Sequence, residues 1–261
     1  MKTIYGTFEW ADANMNCAIG CSHDCRYCYA RNYAVDRFKR VSAENWPKMQ
    51  IRHEEVRRKM RKPAGTVMFP TSHDICPEVL GPCIRVIHNL LSVGNRVLIV
   101  SKPHYECVKS ICDTFPDHKK NILFRFTIGA SDNNLLRYWE PGAPVFEERL
   151  ACLELAKARG YQTSVSIEPM LDSDGVVDLF HQVEPQATHT IWIGKMRSAA
   201  QRVRIENDQD QKAVDKIKAG QTNSRIKAIY NTLKNEIKVR WNASIKKVIG
   251  LALPTQTGTD T

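Results

Sequence analysis

From residue 65 to residue 195 the chain alternates between short apolar runs and longer stretches of helical period, and this alternation restricts the folds open to it more than any other feature. GTVMFPT (65–71), RVLIVSK (96–102), NILFRFTIG (121–129), QTSVSIEPM (162–170) and HTIWIGK (189–195) read as strands. Between them, PCIRVIHNLLSVG (82–94), YECVKSICDTF (105–115), PVFEERLACLELAKARG (144–160) and VVDLFHQV (176–183) read as helices. Pro144 stands near the start of the third helix, and Gly94 and Gly160 stop the first and third. Helices of this size between short strands imply a parallel sheet with right-handed crossovers, in a barrel or an open sheet. In either, ligands gather at the C-terminal ends of the strands. The segments to inspect are therefore TSHD (71–74), SKPH (101–104), GASD (129–132), EPM (168–170) and GKM (194–196).

The flanks differ. Residues 31–62 hold eleven Lys and Arg against four acids, and RHEEVRRKMRK (52–62) within them reads as an exposed basic helix. Residues 195–261 hold fourteen against six. The net charge of the whole chain is +10, so the rest is net acidic and the basicity is local. A local basic face suits a polyanionic partner, nucleic acid first. SRIKAIYNTLKNEIK (224–238) puts Ile226, Ile229, Tyr230, Leu233 and Ile237 on one stripe, as a helix packed on the barrel would. The tail TQTGTDT is expected to fray. No apolar run approaches the ~20 residues that span a bilayer, and the N-terminus lacks the apolar stretch of a secretory signal. A cytoplasmic location is expected.

In that reducing setting the nine cysteines are not expected to form a disulfide framework. Cys17, Cys21, Cys25 and Cys28 fall within twelve residues, while Cys76, Cys83, Cys107, Cys112 and Cys152 are scattered and read as buried hydrophobes. Clustered cysteines point to metal. Zinc would need a fourth ligand. Cys17 could supply it, whereas His23 lies too close in sequence to Cys21 and Cys25 to share their ion. No second Cys-x2-Cys pair exists. An iron–sulfur cluster is the other home for such thiolates, and three of them on four irons leave one iron open.

Cys21-Ser-His-Asp-Cys25-Arg-Tyr27-Cys28 resembles the cysteine motif of radical S-adenosylmethionine enzymes, in which an aromatic residue precedes the last cysteine. Gly20 and Tyr29 narrow the likeness to the group of spore photoproduct lyase and its relatives. IVSKP (99–103) and WEPGAPVFEERLACLELAKARGYQTSV (139–165), with EPGAP followed by ERL, are similar to further segments of that group, so that the likeness covers roughly residues 12–195. The resemblance implies an α/β fold, a partial (β/α)6 TIM-type barrel of parallel strands over residues 1–195 with the cluster loop at 17–31. A basic, largely helical extension would follow over 196–261. It implies that Cys21, Cys25 and Cys28 hold a 4Fe-4S cluster and that S-adenosyl-L-methionine chelates the fourth iron. Reductive cleavage then yields a 5′-deoxyadenosyl radical that abstracts hydrogen from a substrate, in a lyase or transferase-like reaction. Tyr27 would pack near the adenine, Tyr29 beside the substrate as a hydrogen relay, Lys102 at the cofactor carboxylate and Thr127 near the ribose or carboxylate. Ser72 and Asp74 would meet the cofactor's amino group, and Glu168 would face cofactor or substrate. An electron donor such as flavodoxin or ferredoxin is implied.

One position departs from the resemblance. Where spore photoproduct lyase has its hydrogen-donating cysteine, this chain has Pro70, which implies a relative with another reaction. The expected substrate is DNA, RNA or a nucleotide, met through the basic segments 31–62 and 195–247. The alternatives are the same chemistry on a peptide, protein or small metabolite, and a non-enzymatic iron–sulfur or zinc protein that binds nucleic acid.

Overall fold

The computed structural model describes residues 3–59 and 65–259. In chain order the elements are β1 (Ala13–Asn14), β2 (Ala18–Ile19), α1 (Tyr29–Arg31), β3 (Gln50–Ile51), α2 (His53–Arg57), β4 (Thr66–Phe69), α3 (Leu80–Ser92) and β5 (Arg96–Ser101). There follow α4 (Tyr105–Thr114), β6 (Ile122–Thr127), α5 (Asn133–Trp139), α6 (Phe146–Ala158), β7 (Gln162–Ile167), α7 (Val176–Val183) and β8 (Ile191–Ile193). The chain ends with α8 (Ala199–Arg202), α9 (Asp208–Gly220), α10 (Asn223–Leu233), β9 (Val239–Trp241) and α11 (Ala243–Ile249). Helix α1 runs on as a π-helical stretch, Asn32–Arg37.

Seven strands form one sheet in the order β1-β4-β5-β6-β7-β8-β9, and every neighbouring pair is parallel. Each strand lies beside the next of the sheet in sequence, and no pairing joins β9 back to β1 among the described residues. This is an open arc of a (β/α) barrel, as expected, with one strand more than the six expected. A separate two-stranded ribbon, β2 with β3, stands beside the cysteine loop.

The alternation of the strands sorts residues between two sides. Val67, Phe69, Val97, Ile99, Phe124, Phe126, Val165 and Ile167 pack into the main core with the helices. The helices meet them through one stripe each: Cys83, Val86, Ile87, Leu90 and Leu91 of α3, and Val176, Leu179, Phe180 and Val183 of α7, are all buried. Gly94 and Gly160 end α3 and α6 at φ +80° and +81°, a backbone that other residues adopt at a cost. The residues between turn inward, as with Met68 and Leu98. Arg125 of β6 is fully buried, and its guanidinium lies 4.7 Å from the Trp10 ring centroid and 5.6 Å from that of Trp192. It donates to Ser164 Oγ at 2.9 Å and Thr190 Oγ1 at 3.1 Å, which offsets the cost of burying the cation.

Two expectations change. The helix expected over 224–238 stops at Leu233, and Ile237, placed on its apolar stripe, is 90% exposed. The chain must leave the helix there because Lys238 O accepts from Ile191 N at 2.8 Å and starts the pairing of β9 with β8. The basic helix expected over 52–62 is α2, which is formed over His53–Arg57; Met60, Arg61 and Lys62 lie outside the described residues, as do residues 260 and 261 of the tail. No helix among the described residues is long and apolar enough to cross a membrane.

Candidate functional site

The cysteine loop, residues 20–28, follows β2 and is held by backbone bonds to two other segments, around Trp46 and over 139–142. Cys21 N donates to Trp46 O at 3.0 Å, Arg26 N to Trp139 O at 2.9 Å, and Gly142 N to His23 O at 3.1 Å. Gly20 enters the loop at φ +94°, and a Cβ there would stand 2.5 Å from Trp46 O, so only glycine fits. At its far end Cys28 Sγ accepts from Arg31 N at 3.4 Å and caps α1. Cys21 and Cys25 are buried, Cys28 is half-buried, and all three line one cavity. A hydrogen bond with Cys76, then burial, holds the Cys21 thiol well above its usual range. Burial does the same for Cys25 and pushes Cys28 up to about 11. Thiols placed like this keep their protons unless a cation compensates the thiolates. Three such donors from one compact loop fit an iron–sulfur cluster, which Cys21, Cys25 and Cys28 would hold. Cys17 stands apart from them: it is fully buried, 3.6 Å from Cys83 Sγ, and does not line the cavity.

The EPGAP and ERL residues form a clasp under this loop. Gly142 lies so close to it that a Cβ would overlap the Ser22 carbonyl oxygen and stand 2.9 Å from His23 Cα. Glu140 accepts from the Tyr27 hydroxyl and pairs with Arg149 Nη2 at 2.6 Å, with both side chains of the pair fully buried. Arg149 also donates to Pro144 O at 2.7 Å and Thr127 O at 3.2 Å, tying α6 to the end of β6. Tyr27 is thereby fixed against Trp139, with ring centroids 6.3 Å apart.

The cavity has a volume of about 740 Å³ and opens at the C-terminal ends of the strands. Tyr27, Tyr29, Ser72, Asp74, Lys102, Thr127 and Glu168, the site residues expected from the sequence, all line it with the three cysteines. Strand parity explains much of this: Lys102, Thr127 and Glu168 continue the inward-facing positions of β5, β6 and β7. Asp74 Oδ1 accepts from Lys102 N at 2.8 Å, and its Oδ2 lies 3.4 Å from Lys102 Nζ and 2.8 Å from His23 Nδ1. Burial alone would raise Asp74, but Lys102 and His23 hold it well below the usual carboxylate range. The Tyr29 hydroxyl donates to Thr71 O, and the Arg202 guanidinium stands 5.9 Å from its ring. Burial pushes Glu168 up to about 7, against the pull of Arg197 and Arg202. Gly194 makes room for it, since a Cβ there would lie 2.8 Å from the Glu168 carboxyl carbon.

Several residues that line the cavity or shape its wall carry no signal in the sequence motif. Asn16 Oδ1 accepts from Thr71 N at 2.8 Å and Ser72 N at 2.7 Å and so shapes the loop after β4. Ser166 follows from strand parity alone. Lys195, Arg197 and Arg202 form a basic rim; all three fall in the basic segment 195–247, and Lys195 also in the GKM segment at the end of β8. Tyr33 joins the rim and stacks on Phe38, centroids 5.9 Å apart. Pro70 lines the cavity, whereas Cys76 is fully buried beside His23 and does not, so no thiol outside the loop faces the cavity among the described residues.

No protein-family model matches the chain. Among curated proteins it is similar to an uncharacterized protein, ORF301, of Acidianus two-tailed virus, 24% identical over 178 residues. The match takes in 64% of this chain and spans 58% of the length of that relative. Among solved structures, an alanine variant of spore photoproduct lyase superposes with a TM-score of 0.56 at 16% identity, over 92% of this chain and 78% of that one. A phenylalanine variant gives 0.55 at 18% identity, over 83% and 63%. The alanine variant with dinucleoside spore photoproduct gives 0.54 at 18%, over 83% and 63%. The chain thus has the fold of spore photoproduct lyase, as the motif resemblance implied.

Proposed function

We propose that this chain is a radical S-adenosylmethionine enzyme that acts on a nucleic acid or nucleotide. One observation carries the reading: three thiols of a single loop and the residues expected to bind the cofactor wall one cavity in a barrel of the spore photoproduct lyase type. Cys21, Cys25 and Cys28 hold the 4Fe-4S cluster. Bound there, the cluster and S-adenosyl-L-methionine supply one-electron cleavage of the sulfonium and abstraction of a substrate hydrogen, with the electron drawn from a donor such as flavodoxin or ferredoxin.

The chain's own residues bind and orient. The ionised Asp74 accepts from the cofactor's amino group, with Ser72 beside it. Lys102, at 3.4 Å from Asp74, donates to the carboxylate. Tyr27, locked by Glu140, offers its ring to the adenine and Thr127 its hydroxyl to the ribose. Met68 and Val100 give the cavity an apolar wall that keeps water from the reacting atoms. Glu168, held near neutrality, can take or give a proton at its carboxyl oxygen. Tyr29, which follows Cys28 and lines the cavity, acts as the hydrogen relay in this reading.

The substrate class is supported by the rim. Lys195, Arg197 and Arg202 offer cations for phosphate, and Tyr29 and Tyr33 offer faces for bases. Arg37 and Arg40 stand 5.4 and 5.1 Å from the Phe38 ring and extend the same surface. A spore photoproduct lyase variant of this fold has been solved with a dinucleoside. Pro70 in place of the donor cysteine supports a reaction other than the repair of that lesion.

The test is anaerobic reconstitution of the full chain with iron and sulfide, reduction, and measurement of 5′-deoxyadenosine formed from S-adenosyl-L-methionine. Wild type and Cys17→Ala are expected to form it, and Ala at Cys21, Cys25 or Cys28 to abolish it. No 5′-deoxyadenosine from wild type would overturn the reading.

A further inference from the structure

Every exposed aromatic side chain among the described residues stands at the mouth of the cavity. They are Tyr5, Phe8, Tyr29, Tyr33 and Phe38, from 39% exposed for Tyr29 to 51% for Phe38. Four of them line the cavity, and the fifth, Phe38, stacks on Tyr33. The exposed large aliphatics, Ile205, Ile237 and Leu251, do not line it. Apolar side chains exposed singly are ordinary, but exposed rings gathered at one opening mark a surface with an occupant.

Two local devices hold the rings outward. Phe38 N donates to Tyr33 O at 2.9 Å, five residues back, and so closes the π-helical stretch Asn32–Arg37. On a regular α-helix, residues five apart point about 140° away from each other. The π turn brings them onto one face, where the Tyr33 and Phe38 rings lie 5.9 Å apart with planes 18° from parallel. The second shelf is the turn Gly6–Glu9, entered by Gly6 at φ +68°. Its Glu9 carboxyl group is buried and accepts from Gly6 N at 3.1 Å and Ala243 N at 3.3 Å. Gly258 N donates to Phe8 O at 3.1 Å. Tyr5 and Phe8 therefore project from a turn tied to two distant segments.

Cations accompany the rings. Lys247 Nζ stands 4.7 Å from the Tyr5 ring centroid, and the guanidinium of Arg202 5.9 Å from that of Tyr29. Arg37 lies 5.5 Å from the Tyr33 centroid and Arg40 5.1 Å from that of Phe38. None of these four cations forms an ion pair among the described residues. Among the lining residues the carboxyl groups are those of Asp74 and Glu168. Rings interleaved with such cations suit a polymer that carries a flat apolar face and an anion in each unit, which is a nucleic-acid strand. In a duplex the base faces are spent on one another, and surface rings have nothing to stack on.

We propose that the mouth seats an unpaired strand, with bases stacked on the Tyr33–Phe38 and Tyr5–Phe8 shelves while a neighbouring base enters the cavity past Tyr29. The inference rests on the nucleic-acid reading above and narrows it from any nucleic acid or nucleotide to a single strand several units long.

The test is fluorescence anisotropy of the full chain with a short labelled DNA strand, the same sequence as a duplex, and the matching RNA strand. The better of the two single strands is expected to bind about tenfold tighter than the duplex at equal salt, and it identifies the sugar. Phe38→Ala and Tyr5→Ala are each expected to weaken that binding by about 5- to 150-fold, the worth of one stacked base. The salt slope should stay at the wild-type value, since no phosphate contact is removed. Phe38→Trp, which keeps a ring, should keep the affinity. The side chains are exposed, and circular dichroism checks that the variants are folded. A duplex bound as tightly as the strand, or alanine variants that bind as wild type does, would overturn the seat. So would a wild-type dimer that the same variants make monomeric, because the rings would then belong to a second copy of the chain. 5′-Deoxyadenosine formed without strand binding would overturn this inference alone, and strand binding without 5′-deoxyadenosine would overturn the chemistry alone.

Discussion

Replacing Glu140 by Gln tests the clasp that holds Tyr27 and, through it, the cysteine loop. The change keeps the shape and removes the charge. Arg149 is then a fully buried cation without its carboxylate, 2.6 Å from a neutral amide. Guanidinium does not give up its proton, so the charge cannot be relieved by titration. Breaking a buried pair in this way costs about 3–5 kcal/mol. With a urea dependence of about 3 kcal/mol per molar for a domain of this size, the unfolding midpoint falls by about 1–1.7 M. Arg149→Met should cost less, because the carboxyl group left behind can neutralise itself by taking a proton. The double variant should be milder than the sum of the two, since neither charge then remains. Urea unfolding followed by circular dichroism, for wild type and the three variants, measures all four. A loss under about 1 kcal/mol for Glu140→Gln, the size expected of an exposed pair, would refute the reasoning. Strict additivity in the double variant would refute it as well.

Gly142→Ala should cost about 1–3 kcal/mol and lower the iron bound per chain, because the added Cβ meets backbone of Ser22 and His23, which can yield only by moving the loop. A thermal midpoint and iron content equal to wild type would count against the close approach. Glu168→Gln should alter the pH dependence of stability. The folded-state value of Glu168 is about 7, above 4.5 for the open chain, so the folded protein holds the extra proton and wild type loses stability as pH rises from about 4.5 to about 7. The difference in unfolding midpoint between the two proteins should therefore move against wild type across that window, and a difference that stays constant from pH 5 to 8 would refute the assignment. Alanine at both Lys195 and Arg202 should flatten the salt dependence of nucleic-acid binding by about 1.4–1.8 in the log–log slope, two phosphate contacts in size, as read by fluorescence anisotropy. An unchanged slope would exclude the rim as the phosphate-binding surface.

Much of this protein follows from local pattern. Period-two strands between period-3.6 helices are enough for a parallel α/β arc, because an apolar face must be covered and crossovers have one hand. The same period, extended past the strand ends, places Lys102, Thr127 and Glu168 inward, and residue spacing alone brings Cys21, Cys25 and Cys28 onto one loop. Strands β1 and β9 were not legible, since two or three residues carry no period, and only pairing with Val67, Met68 and β8 makes them strands. For the same reason a continuous apolar stripe ran the last helix past Leu233, where strand pairing ends it. The tertiary structure alone decided that Glu140 meets Arg149, that Asn16 shapes the loop after β4, and that Lys195 and Arg202 reach the cavity rim. It also decided that His23, set aside from sequence as too near the cysteines to share their ion, meets His104 from 81 residues away. Periodicity tells which side of an element a residue takes. Which residues of distant elements then meet depends on how the crossovers close the sheet, and that is written in no single stretch of chain.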